Sequence, residues 1–215
     1  MIDKKPVLIF GAGGLGATTA EIFQSHGVEV YGFLDDKASL HQTEINYITV
    51  LGNTDDERYL GLLSGESCGA FVAIDDPKQR KQLTKKLIEQ YQTMPTNAVH
   101  GHSIVSPSAT LGYGNLLSAG VQLGAGVTLG NHCQLHTRAT IDYEAKLGDF
   151  VHIGAGSVVG SGVVIEDDAF IGAGVVIISG VKIGKGAKVA IGSVVLSDIS
   201  AGDTVFGHPA RVINT

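Results

Sequence analysis

The sequence predicts two architectures in one chain: a small Rossmann-like α/β domain over residues 1–95, then a parallel β-helix over residues 96–215. Two observations carry the prediction. An aliphatic residue recurs every six places from Val105 to Val195, sixteen times without a break. Ahead of it, a strand, a glycine-rich turn, a helix and a second strand ending in acids follow in the order of a βαβ unit. The composition agrees, since 30 glycines and only 6% aromatic residues suit a coil-repeat protein better than an ordinary globule.

In chain order, the apolar run of residues 6–10 reads as the first strand. Gly11-Ala12-Gly13-Gly14-Leu15-Gly16 follows, then a helical pattern over residues 17–26 that Gly27 ends. Residues 28–34 form a second strand closing on Asp35 and Asp36. This is the glycine spacing of a dinucleotide-binding turn, where the backbone approaches phosphate and a helix N-terminus stabilises its charge. Asp35 is then placed to accept hydrogen bonds from a ribose or sugar hydroxyl; the alternative is a tight turn with a purely structural role. Residues 38–47 read as a polar loop, 48–51 as a strand, 54–63 as a helix opened by acids, 68–74 as a strand and 77–92 as a helix. Such a domain is too short for a full two-halved dinucleotide fold, which lowers the NAD reading.

The period of six has a geometry. Three hexapeptides close a triangular coil of 18 residues, so residues i and i+18 stack as in a parallel sheet. The aliphatic residue and the small residue two places before it point inward, and the residue between them points outward. Positions two and three after the aliphatic residue make the corners, where glycine and asparagine tolerate positive φ. Sixteen hexapeptides give about five coils and a prism roughly 25 Å tall. Cys133 falls in an inward small-residue slot and reads as core packing, and two cysteines make no disulfide framework. Thr140, Val158, Val176 and Val194 form an outward column with Ile178 and Leu196 beside it. An apolar column on a prism calls for a cover, and a neighbouring prism is the expected one. The arm of a bound ligand or a chain terminus is the alternative.

A net charge of −6 argues against nucleic acid and anionic membranes as partners. No apolar run of 18 residues and no basic leader is found, so the chain reads as cytoplasmic.

The period resembles the left-handed β-helix of the hexapeptide acyltransferases, which work as trimers and bind acetyl-CoA between neighbouring prisms. The two-domain order is similar to that of the sugar acyltransferases with a Rossmann-like nucleotide-sugar domain. These include the sialic acid O-acetyltransferases and the N-acetyltransferases of bacillosamine and perosamine biosynthesis. The resemblance spans the chain and rests on Gly11–Gly16, Phe33–Asp36, Ile141–Gly154 and Phe206–Arg211. It implies acetyl-CoA as co-substrate, a nucleotide-linked amino sugar of bacterial surface glycan biosynthesis as acceptor, and a homotrimer. Substrate contacts then fall on Gly11, Gly13, Gly14, Leu15, Asp35, Asp36 and Asp75, and CoA contacts on His152, Ser161, Ala173 and Ile191. No metal is implied.

Three residues depart from the family pattern. Tyr143 stands where the family has the histidine that deprotonates the acceptor, Leu15 where a histidine is frequent, and Asp75 where glycine is usual. A buried carboxylate at Asp75 would repel a diphosphate. A tyrosine with a pKa of about 10 stays protonated near neutrality and is no general base. An amine, already partly free base, needs less help than a sugar hydroxyl, so N-acylation is favoured.

The candidate catalytic residues are Tyr143, Glu144, His152 and His136. Counting in eighteens points His152 outward between Gln134 below and Phe170 above. It puts His136 diagonal to His152 within roughly 7–8 Å. Tyr143 and Glu144 occupy a corner between the two other faces, so one prism cannot bring Tyr143 to His152. Other readings are sugar O-acetylation, a catalytically weakened relative that still binds a nucleotide sugar, and a zinc site of His132, His136 and His152 as in β-helix carbonic anhydrases.

Overall fold

The computed structural model describes residues 5–64 and 67–213. Contacts divide the chain into Met1–Gly101 and His102–Thr215.

The first unit comprises β1 (Val7–Phe10), α1 (Gly14–Ser25), β2 (Val30–Leu34), β3 (Glu44–Ile45), β4 (Ile48–Gly52), α2 (Glu57–Ser64), β5 (Gly69–Val72) and α3 (Pro77–Tyr91). Its sheet has the order β3-β4-β2-β1-β5 and is parallel apart from the β3–β4 pair. All four residues of β1 are buried, as a central parallel strand requires. Leu8, Phe10, Leu34, Leu60, Val72 and Leu87 pack into one core. Elsewhere Phe23 of α1 meets Phe71 of β5 edge to face at 5.9 Å.

The helix ends follow local chemistry. Gly27, at φ +68°, turns the chain out of α1. Asp76 caps α3, its carboxylate accepting from the Gln79 N–H, with Pro77 in the first turn. The chain reverses side between β1 and β5, and at such a switch point open α/β sheets bind ligands beyond their strand ends. The segment 38–47 is more ordered than a polar loop. It holds a 3₁₀ turn at Ala38–Leu40 and the strand β3, which hairpins onto β4 through Asn46 and Tyr47, both at positive φ. Helix α2 starts at Glu57, three residues later than its acids suggest.

The second unit is a triangular prism. One face is a parallel sheet running from Ile104–Val105 to Val194–Val195, and the next runs from Thr110–Leu111 to Lys182–Ile183. The third face carries Leu116–Leu117, Gln134–Leu135, His152–Ile153, Phe170–Ile171 and Lys188–Val189. Paired residues lie 18 apart, as in Thr140↔Val158 and Val158↔Val176. From Leu117 to Val195 every aliphatic residue of the period is at most 3% exposed. Val105 and Leu111, in the lowest coil, are half-buried.

Polar groups in the inward slots bond to the coil itself. The Ser157 hydroxyl donates to the Gly172 carbonyl at 2.8 Å and accepts from the Val175 N–H. The Cys133 thiol is buried and donates to the Gly148 carbonyl at 3.1 Å, in keeping with core packing. From Gly114 to Gly192 the third residue after each aliphatic one takes the left-handed conformation, including His132, Arg138, Glu144, Phe150 and Asp168. Each of these non-glycine residues costs about 1–2 kcal/mol, offset by the coil contacts around it.

The period breaks at the top. Ile183 bridges Ile199 and Lys188 pairs with Thr204, so the last coil is two residues short. An antiparallel hairpin of Thr204–Gly207 and Ala210–Val212 then closes the third face. Among the described residues, no helix is long and apolar enough to cross a membrane.

Candidate functional site

In the first unit the glycines divide by what each position demands. Gly11 sits at φ +107°, and a Cβ there would run into the Ala73 carbonyl. A Cβ at Gly16 would strike the Gly11 carbonyl. These two hold the turn together. Gly13 and Gly14 are exposed, with open space where a Cβ would stand. Helix α1 begins there with no side-chain cap and no acid in its first turn, so its leading N–H groups face an open surface suited to an anion. Leu15, half-buried, follows in the same turn.

The acids stand close by. One Asp35 oxygen accepts from the Ala12 N–H at 2.8 Å and the other from the Lys37 N–H at 2.8 Å. Asp35 thus braces the glycine turn, and each oxygen keeps a lone pair for a hydroxyl. Asp36 accepts from both the backbone N–H and the hydroxyl of Thr54. His41 bonds through Nε2 to the Asp35 carbonyl at 2.7 Å. Asp75 is exposed rather than buried, which corrects the expectation of a buried repelling carboxylate. Its backbone carbonyl points to Arg80, and water screens a charge at the surface.

On the prism, His152 stacks between Gln134 and Phe170 as expected. Its ring lies nearly parallel to Phe170, with centroids 4.4 Å apart at 12°. His136 approaches from below at 4.6 Å, closer than the 7–8 Å diagonal, because the two imidazoles lean toward one another. His152 and Phe170 thus stack, and His136 packs against His152 at a tilt of 45°.

Tyr143 lies on the corner between the first and second faces and is 52% exposed. Its N–H donates to the Asp142 carboxylate at 2.8 Å, and the next residue, Glu144, takes φ +58°. Gly126 and Gly162 occupy the places below and above Glu144, so the corner is clear of side chains there. Ser161 sits one coil above Tyr143, and its hydroxyl donates to Ser179 at 2.9 Å. Ala173 and Ile191, both exposed, stack on a different corner, beyond the His152 face. Within one chain the candidates therefore fall into two groups. Tyr143, Glu144 and Ser161 form one, and His136, His152, Ala173 and Ile191 form the other.

His132 is buried at a third corner, stacked on Phe150 at 4.9 Å. Among the described residues, no three His, Cys, Asp or Glu side chains form a group that could hold a metal ion. Lys185 pairs with Asp167 at 3.5 Å and Lys182 with Glu166 at 2.7 Å, both on the surface. The Lys182 ammonium holds the Glu166 carboxyl below the usual range. One residue that sequence reasoning passed over is Arg80, in the first turn of α3 and 3% exposed. A single arginine near a helix start carries no periodic signal.

The fold and these sites define the class: a hexapeptide-repeat left-handed β-helix carrying a Rossmann-like N-terminal domain. Residues 6–87 match the PglD N-terminal domain, and residues 144–179 and 162–197 match the bacterial transferase hexapeptide of six repeats. The chain is similar along its full length to a solved GDP-perosamine N-acetyltransferase from Caulobacter crescentus, at 30% identity, a TM-score of 0.89 and 100% coverage of both chains. That structure is of a histidine-to-alanine variant in complex with CoA and GDP-perosamine. It is also similar to the acetyltransferase domain of PglB from Neisseria gonorrhoeae in complex with acetyl coenzyme A, at 28% identity and a TM-score of 0.88, covering 98% of this chain and 100% of that one. WeeI from Acinetobacter baumannii matches at 26% identity and a TM-score of 0.81, with 97% and 100% covered. The chain belongs to the hexapeptide-repeat sugar acyltransferases with an N-terminal Rossmann-like domain.

Proposed function

We propose that this protein transfers an acetyl group from acetyl-CoA to the amine of a nucleotide-linked sugar. The observation that carries the reading is full-length similarity to an enzyme solved with CoA and GDP-perosamine, joined to an open glycine turn braced by Asp35. Residues 1–95 serve as the nucleotide-sugar domain and 96–215 as the acyltransferase domain. Gly11, Gly13, Gly14, Leu15, Asp35, Asp36 and Asp75 surround the nucleotide sugar.

The sugar amine attacks the thioester carbonyl carbon, forming the C–N bond. The C–S bond breaks, and the thiolate leaves as CoA thiol after taking up the proton the amine gives up. His152 polarises the thioester carbonyl, and backbone amides share that work. His136 supports His152, while Ser161, Ala173 and Ile191 line the CoA arm. Tyr143 and Glu144 lie where the acceptor is deprotonated; with no imidazole there, an amine that loses its proton late suits the site better than a hydroxyl.

The two groups of residues lie on separate parts of one prism, so a complete site draws them from neighbouring copies. A homotrimer packed along Val158, Val176 and Val194 supplies that arrangement, and the working compartment is the cytoplasm. The test is release of free thiol from acetyl-CoA with amino-sugar nucleotides and with their hydroxyl counterparts. Turnover with the hydroxyl sugars alone overturns the N-acetylation reading. Binding of both substrates without turnover marks a weakened enzyme, a reading that the exposed phenol of Tyr143 favours.

A further inference from the structure

Arg80 stands in the first turn of α3 and is only 3% exposed. A buried guanidinium is costly unless its hydrogens are used. Here Nη1 donates to two successive carbonyls, Ile74 at 2.8 Å and Asp75 at 3.1 Å. A trans peptide unit sets its N–H opposite its C=O. Both carbonyls face the buried guanidinium, so the N–H groups of Asp75 and Asp76 turn to the other side. That side is solvent, because both residues are exposed. Neither amide has a protein acceptor among the described residues.

This loop leaves the end of β5, which pairs in parallel with β1, whose own end enters the glycine turn. The two loops are in contact, since a Cβ on Gly11 would strike the Ala73 carbonyl. The open space at Gly13 and Gly14 and the turned-out amides of Asp75 and Asp76 therefore flank the same switch point of the sheet. Successive outward amides form an anion-binding concavity.

We propose that Arg80 is a positioning residue for the diphosphate of the nucleotide sugar. It holds the Ile74–Asp76 backbone so that two amides donate to phosphate oxygens opposite the glycine turn. The inference rests on the nucleotide-sugar reading of the first domain. It also accounts for an acid at position 75: the backbone makes the contact, and the exposed carboxylate stays in water.

The experiment is calorimetric titration of the full chain with GDP, UDP and dTDP, joined to steady-state kinetics. Arg80→Met is expected to weaken binding of the preferred nucleoside diphosphate about tenfold, the worth of one hydrogen bond to a charged group. It raises KM for the nucleotide sugar and leaves KM for acetyl-CoA unchanged, a split that general loss of stability does not give. Arg80→Lys recovers part of the affinity. A second pair leaves Arg80 in place: Asp75→Pro removes one of the amides and weakens binding, while Asp75→Ala removes only a negative charge and tightens it. Nucleotide affinity of Arg80→Met within twofold of the unchanged protein overturns the proposal, and so does equal affinity of Asp75→Pro and Asp75→Ala. An unchanged protein that binds none of the three nucleotides overturns the nucleotide reading itself, and the inference with it.

Discussion

The imidazoles of His136 and His152 lie 4.6 Å apart at 45°, although across the two paired strands His152 lies opposite Gln134 and only diagonal to His136. With Phe170 stacked on the far side of His152 at 4.4 Å, that ring is held between two others. A ring so confined keeps one orientation, which a group polarising a thioester carbonyl requires.

His152→Ala is accordingly expected to lower kcat by about 10²–10³, the usual cost of removing one such donor. Phe170→Leu leaves the imidazole in place but frees its plane, and lowers kcat by less. Thiol release from acetyl-CoA measures both. Full activity in His152→Ala removes this histidine from the mechanism.

Tyr143→His is expected to raise kcat/KM. General-base catalysis contributes typically about 10²–10⁴-fold, and Glu144 is already adjacent to orient the new ring. The gain is larger for a hydroxyl acceptor than for an amine. A flat rate in Tyr143→His, with activity abolished in His136→Ala, puts the base on the other face.

Val176 is 40% exposed and Val158 42%, in one column with Val194. Val176→Asp would bury an unpaired charge wherever another prism covers this column, at a cost of several kcal/mol. If the proposed trimer packs along this column, light scattering should show the variant at the mass of a smaller species than the unchanged protein. A variant that remains trimeric would falsify the placement of the interface.

Glycines two places apart in one hexapeptide should fail for different reasons. Gly172→Ala has no room, since its Cβ would come within 2.7 Å of the Ile191 nitrogen. Gly174→Ala has room but inherits φ +66°. The second costs about 1–2 kcal/mol and lowers Tm by a few degrees, while the first costs more because a coil must shift. Thermal unfolding of the two variants ranks them, and the reverse order would sink this account.

Burial pushes the Cys68 thiol up to about 11 from 9.0, and the thiol donates to the Pro6 carbonyl at 3.1 Å. The neutral form is thus favoured by folding. Its contribution to stability is full below about pH 9 and is lost as the pH rises toward 11. With Cys133 also buried, a thiol reagent at pH 8 should modify neither residue until the protein unfolds.

Much of this was legible because a period of six is a strong constraint. It assigned inside and outside from Leu117 to Val195, located the left-handed corners, and separated Tyr143 from His152. It did not reveal that Leu116 and Gln134, though outward by the count, are buried, because the period fixes which way a side chain points and not what lies over it. The short last coil at Ile199 was equally hidden, since the aliphatic spacing simply stops. In the first unit the order of elements was plain. The burial of Arg80, the exposure of Asp75 and the bracing of the glycine turn by Asp35 depend on which way single peptide units face, and no residue pattern encodes that.

The stacking interval has a consequence for insertions and deletions. The core recognises chain position modulo six, because any hexapeptide presents the same inward pair. The chemistry recognises it modulo eighteen, because Gln134, His152 and Phe170 share a face only at that interval. Removing six residues below His152 would preserve every inward contact above the cut yet rotate all of that surface by one face. The result would be a prism that folds and has lost its site. Length variation in this chain is therefore filtered twice, once by packing and more strictly by function, and only whole coils pass both.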